Sequence, residues 1–280
     1  FVLQDNQRLL GQGTMHTYTS TEGTFALPGF TPGVNPLLGG TVDMFGDNVE
    51  VAGFRFSTPS TPSALIGSGE DFLIRSVDIM SGDRGIDLDN ATGIGLITDT
   101  TITGTTRDAI HVENYNGTAL DLAIVDTTIA GGGEDGVYVT VDTEATLNLL
   151  MDNVDVSGVA ENGFGTDVSY FDTMLTVDVV DSSFSFNGGD GFYVERVDDP
   201  GFEVDISDSI FDGNFGDGVT IVSYNGRVPN GMVDIERSSL SGNGGLGLRL
   251  RGEADVTLDV DLTDNVIFGN GLGGVEMTSA

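Results

Sequence analysis

The sequence predicts an all-β fold, a single right-handed parallel β-helix, which is a solenoid of roughly nine rungs. Three observations predict it. A short motif recurs along the chain at near-constant spacing. Each copy follows a strand that alternates between apolar and polar residues. Glycine is abundant, at 42 of 280 residues, while proline is scarce at 7, a balance that favours many tight turns over a disordered linker.

The motif is clearest in four stretches. Asp126-Thr-Thr-Ile129 leads to Asp135-Gly136-Val137-Tyr138-Val139, and Asp181-Ser-Ser-Phe184 leads to Asp190-Gly191-Phe192-Tyr193-Val194. Asp208-Ser-Ile-Phe211 leads to Asp217-Gly218-Val219-Thr220-Ile221, and Asp264-Asn-Val-Ile267 leads to Gly273-Gly274-Val275-Glu276-Met277. The leading position reads Ser76, Asp99, Asp126, Asp152, Asp181, Asp208, Arg237 and Asp264, at intervals of 23 to 29 residues. A rigid nonapeptide calcium roll would keep multiples of nine. Variable turns between constant short strands suit a three-strand coil instead, with Ile129, Phe184, Phe211 and Ile267 stacked inside.

The preceding strands alternate: Phe202, Val204 and Ile206 with Glu203, Asp205 and Ser207, then Leu258, Val260 and Leu262 with Asp259, Asp261 and Thr263. Period two buries one face and wets the other. Strands this short, with no helical pattern between them, pair rung upon rung at about 4.8 Å. Residues 1–46 depart from the repeat. They read as an opening rung (Val2-Leu3-Gln4, Arg8 to Gly13) and a Thr/Gly/Pro-rich excursion from 14 to 40 of the same domain, and residues 47–280 carry the repeats.

All ten basic residues are Arg, against 44 Asp and Glu, for a formal charge of −34. Such a chain is repelled by phosphate backbones and anionic membranes, which excludes nucleic acid as a partner. There is no Cys, so thiolate chemistry is absent. No apolar run approaches the ~18 residues of a membrane span, so no direct membrane insertion is expected in this segment. Both ends read as mid-pattern, as in a segment of a longer extracellular or cell-surface protein.

The repeats of the Asp-x-x-apolar…Gly-Asp-Gly-apolar-x-apolar type resemble the pectin-lyase-like right-handed β-helix superfamily over nearly the whole chain. The opening Val2 to Gly13 looks like the first coil of bacterial surface proteins, including autotransporter-type passengers. The resemblance implies the fold. It leaves function open, because that superfamily carries lyases, hydrolases, epimerases, phage tailspikes and adhesins.

In register, the strand after the turn exposes one column reading Asp87, His111, Tyr138, Gly165, Tyr193, Thr220, Arg249 and Glu276. Two residues on it exposes Asp89, Glu113, Thr140, Asp167, Glu195, Val222, Arg251 and Thr278. His111, Glu113, Asp87 and Arg107 are the catalytic candidates: an imidazole base, carboxylates for acid–base work and a cation for a uronate. Tyr138, Tyr193, Glu195 and Asp167 are the ligand-binding candidates, rings to stack on sugars and carboxylates to bind hydroxyls. Asp135, Asp190 and Asp217 read either as turn caps or as hard oxygen ligands for Ca²⁺. Polygalacturonase and pectate-lyase signatures are absent. The reading is therefore a non-catalytic stalk or adhesin-like scaffold for a polysaccharide or a host or neighbouring-cell surface. The alternatives are a polysaccharide lyase or glycoside hydrolase using the His111/Glu113/Tyr138/Tyr193/Glu195 face, or a phage-type spike segment.

Overall fold

The computed structural model describes all residues except 21–22, 27–32, 59–61, 170–171, 198–200, 227–230, 255–257 and 280. The strands coil in parallel, each pairing with its counterpart one turn later. Eleven of them form one sheet, here sheet A, and fifteen form the rest of the coil wall, sheet B. Nine strands of sheet A, from Leu65–Gly67 to Gly273–Ser279, belong to the regular repeats; Val2–Leu3 and Val42–Met44 precede them. The excursion holds an antiparallel hairpin, Thr17–Ser20 with Gly23–Ala26, and the chain rejoins the coil where Leu37–Leu38 pairs with Arg55–Phe56.

Sheet B folds along a corner, and the corner explains the leading column. Ser76, Asp99, Asp126, Asn153, Asp181, Asp208, Arg237 and Asp264 all have φ between 48° and 57°. Asp and Asn tolerate this left-handed region better than most residues. The column reads Asn153 where the spacing pointed to Asp152, which instead pairs with Val125 and Val180 within the strand ladder. On five rungs the residue after the corner is a buried hydroxyl: Thr100, Thr127, Ser182, Ser209 and Ser238. Ser182 N–H donates to Ser209 Oγ, and Ser209 N–H to Ser238 Oγ, at 3.1 and 3.0 Å.

The core is a stack of columns. One runs Phe56, Ile79, Ile102, Ile129, Val156 and Phe184 by strand register. Ile129, Phe184 and Phe211 are fully buried, and Ile267, on the last rung, packs half-buried against the same core. The Phe184 and Phe211 rings stack at 5.5 Å, and Phe192 meets both edge-on at 6.4 and 6.1 Å. At the next corner the polar turn is closed by an asparagine ladder. Asn187, Asn214 and Asn243 N–H groups donate to the side chains of Asn214, Asn243 and Asn270 at 2.8–3.0 Å. Arg196 is also inside, 1 % exposed, with Nη1 on Ser223 Oγ at 3.0 Å and its guanidinium over the Phe202 ring.

Because Phe211 is close-packed on two sides by rings, Phe211→Ala should cost about 3–5 kcal/mol of stability through the cavity it leaves. Equilibrium denaturation measures this; a loss below about 1 kcal/mol would contradict the stacked interior.

Candidate functional site

The site lies on the outer face of sheet A. The strands Ile86–Asp89, Ile110–Asn114, Val137–Val141, Phe164–Ser169 and Phe192–Val197 pair in one register. Asp87 faces His111, which faces Tyr138, then Gly165, then Tyr193. Asp89, Glu113, Thr140, Asp167 and Glu195 form the parallel column. The turn entering each strand supplies the flank. Together Arg84, Arg107, Asp108, His111, Glu134, Asp135, Tyr138 and Glu161 enclose a cleft of about 280 Å³.

The turn carboxylates are first of all structural. Asp135 N–H donates to Asp108 Oδ1, Asn162 N–H to Asp135 Oδ1 at 2.6 Å, and Asp190 N–H to Asn162 Oδ1. Asp217 N–H then donates to Asp190 Oδ1 and Leu246 N–H to Asp217 Oδ1, at 2.7 and 2.6 Å. Each side chain satisfies the backbone of the next rung, which a buried turn requires. Asp190 and Asp217 are consecutive in this ladder, but Asn162 separates Asp135 from Asp190. One oxygen of each carboxylate is already committed. Among the described residues no group of three or more His, Asp or Glu is placed to hold a metal ion.

The second oxygens differ, and the difference makes the site. Asp108 Oδ2 accepts from Arg84 Nε at 3.3 Å, and Asp217 Oδ2 from Arg249 and Thr220. Asp135, 4 % exposed, has no basic partner among the described residues. Burial pushes its carboxyl up to about 7, with the charges of Asp108 and Glu161 adding to it and the Asn162 N–H opposing. Burial also raises Asp108, against the pull of His111 and Arg84. Gly165 leaves the room: a Cβ there would stand 2.5 Å from Asp135 Oδ2 and 3.2 Å from the Tyr138 ring.

His111 is nearly buried. Its Nδ1 lies 3.1 Å from Asp87 Oδ1, and its ring stacks on Tyr138 at 5.8 Å, 15° from parallel. Burial works against the Asp87 anion, but the His111 hydrogen bond and the Arg84 charge at 3.0 Å outweigh it and hold its pKa below the ordinary value. An ionised carboxylate only accepts, so His111 Nδ1 is the donor in this hydrogen bond. Arg107 closes the rim, paired with Glu134 at 3.1 Å. Burial, with Asp167 nearby, raises the Tyr138 phenol.

The structure thus brings His111, Tyr138 and Arg107 into one cleft, with Asp87 bonded to His111 and Arg84. Glu113 stands in the neighbouring column, between Asp89 and Thr140. Tyr193 lies two rungs from Tyr138 with its hydroxyl on Glu195 at 2.6 Å, and Asp167 accepts from Ser169 at 2.8 Å. Asp87 is already engaged by His111 and Arg84. Asp135 in its acid–base aspect, Glu134, Glu161 and the vacancy at Gly165 were not legible as parts of one site. Their common signal was the break at Gly165 in an otherwise side-chain-bearing column.

The family model for the right handed beta helix region matches residues 63–230, more than half of the chain, and the chain belongs to that family. No curated protein matches the sequence. Among solved structures, the A-module of the mannuronan C-5 epimerase AlgE6 of Azotobacter vinelandii is similar, with a TM-score of 0.59 and 13% identity. The match covers 100% of this chain and 84% of that one; at this identity the likeness is one of fold.

The raised carboxyl has a consequence for stability. Asp135 binds its proton more tightly folded than unfolded, so its contribution is full below pH 3.8 and is lost as pH rises to about 7. At about 1.4 kcal/mol per pH unit the penalty on the ionised form is at most about 4 kcal/mol. Asp135→Asn, which still accepts the Asn162 N–H, should match wild type in thermal melts near pH 4 and melt higher above pH 7. Equal melting temperatures at pH 8 would contradict the buried, unpaired carboxyl.

Proposed function

We propose that the chain hydrolyses a neutral polysaccharide laid across sheet A, at an extracellular or cell-surface location. The observation that carries this is the pairing of an oriented imidazole with a carboxyl held near pH 7 in one cleft. His111, fixed by Asp87, has the form of a base that takes a proton from water. Asp135, protonated in a large fraction of molecules near neutrality, has the form of the acid that gives one to the leaving sugar oxygen. Tyr138 and, beyond Gly165, Tyr193 offer rings to the polymer. The similar A-module is, by its name, an epimerase of mannuronan, which supports a polysaccharide as the ligand class.

Charge selects within that class. Arg84 and Arg107 face Asp87, Asp108, Glu134 and Glu161, so the cleft keeps an anionic excess on a chain of −34. A uronate polymer meets repulsion there. The second reading, a stalk or adhesin-like scaffold, is favoured by the short turns that join most rungs.

The test is incubation with neutral glycans, pectate and alginate, following reducing ends and unsaturated ends. Neutral-glycan turnover should fall about 10²–10⁴-fold in His111→Ala or Asp135→Asn. It should also decline as pH rises through about 7, where Asp135 loses its proton. Binding without turnover on every substrate would overturn hydrolysis in favour of the scaffold.

A further inference from the structure

The outer face of sheet B, away from the cleft, changes character halfway along the coil. One outward column runs Leu73, Leu96, Ala123 and Leu150, then Asp178, Asp205, Asp234 and Asp261. Four apolar side chains are followed by four carboxylates with no basic residue among them; ahead of Leu73 the column opens with the ion pair of Arg8 and Glu50. The neighbouring column is mixed, with Asp121 beside Ile94 at one end and Met232 between Glu203 and Asp259 at the other. Ile94 is 66 % exposed. Ala123, a single methyl between two leucines, leaves a depression of about 330 Å³ bounded by Ile94, Leu96, Leu150 and Asp178. No described residue covers it.

Neither half is accounted for by the coil alone. Outward leucines add nothing to the core, which the inward residues Leu122, Leu149 and Val177 already fill. Aspartates about 4.8 Å apart repel one another. The two halves are contiguous and complementary to one kind of occupant, a segment apolar at one end and basic at the other. Seven rung spacings amount to about 34 Å, the length of roughly ten extended residues.

We propose that this face docks an extended peptide segment of a partner protein, its apolar side chains in the Leu96–Leu150 depression and its Lys or Arg side chains along Asp178, Asp205, Asp234 and Asp261. Its charge matches the one class of macromolecule that a strongly acidic chain attracts. It is independent of the chemistry on sheet A.

The probe is a fluorescein-labelled ten-residue peptide with leucines and valines in one half and arginines in the other, titrated by fluorescence anisotropy at low and moderate salt. Wild type should bind it, and Asp205→Asn with Asp234→Asn should weaken binding and flatten its salt dependence. The decisive variant is Leu96→Asp with Leu150→Asp. It makes the face more acidic, so attraction by charge alone would strengthen binding, whereas loss of the apolar depression should weaken it at least tenfold. A second peptide, with serines replacing the apolar half, makes the same test on unaltered protein and should bind at least tenfold more weakly. Equal or tighter binding by the leucine-to-aspartate variant, or by the serine peptide, would overturn the proposal.

Discussion

The structure depends on in-register stacking of parallel rungs. Each residue lies about 4.8 Å from its counterpart on the next turn of the coil, so whatever a turn does once it must do again directly above. A buried turn exposes backbone N–H groups that no strand satisfies, and these need partners. Here the partner is a side chain of an adjacent rung: Asp or Asn of the rung before at the entrance to sheet A, and Asn or Ser of the rung after at the corner before it and at the corner within sheet B. The same stacking lines up Phe184 with Phe211 and Phe164 with Phe192. Polar ladders and apolar columns are two results of one constraint.

The cleft arises where that repetition is interrupted. Along the entrance ladder, Asp108 and Asp217 each carry a cation on the outward oxygen, supplied by Arg84 and Arg249. Asp135, like Asp190, serves the ladder without an ion pair among the described residues, and at Asp135 Gly165 leaves the outer oxygen room beside Tyr138. A carboxyl that is structurally required, buried and uncompensated titrates high. One rung earlier, His111 replaces the carboxylate of Asp87 and is held by it. The acid and base of the proposed reaction thus both come from local departures of the scaffold from its own pattern.

Much of this was readable from residue order. The outward columns through His111 and through Glu113 follow the predicted register residue by residue, because period two leaves no freedom once the turn Gly is aligned. The corner column was misplaced by one residue at Asp152, since Asp and Asn are adjacent there and both suit a turn; backbone φ singles out Asn153. Arg196 was not foreseen inside the coil, because a charged side chain at an inward position contradicts the alternation it sits in. The role of Asp135 was half-read: spacing identified a cap, whereas its titration depends on burial and on a missing cation.

Amide hydrogen exchange tests the central claim, that side chains of one rung hold the backbone of an adjacent rung. The Asp217 N–H donates to Asp190 Oδ1 at 2.7 Å. In wild type it should be protected as strongly as strand amides such as that of Val194. In Asp190→Ala its protection should collapse while amides several rungs away keep theirs. Fast exchange at Asp217 in wild type, or unchanged protection in Asp190→Ala, would contradict the account.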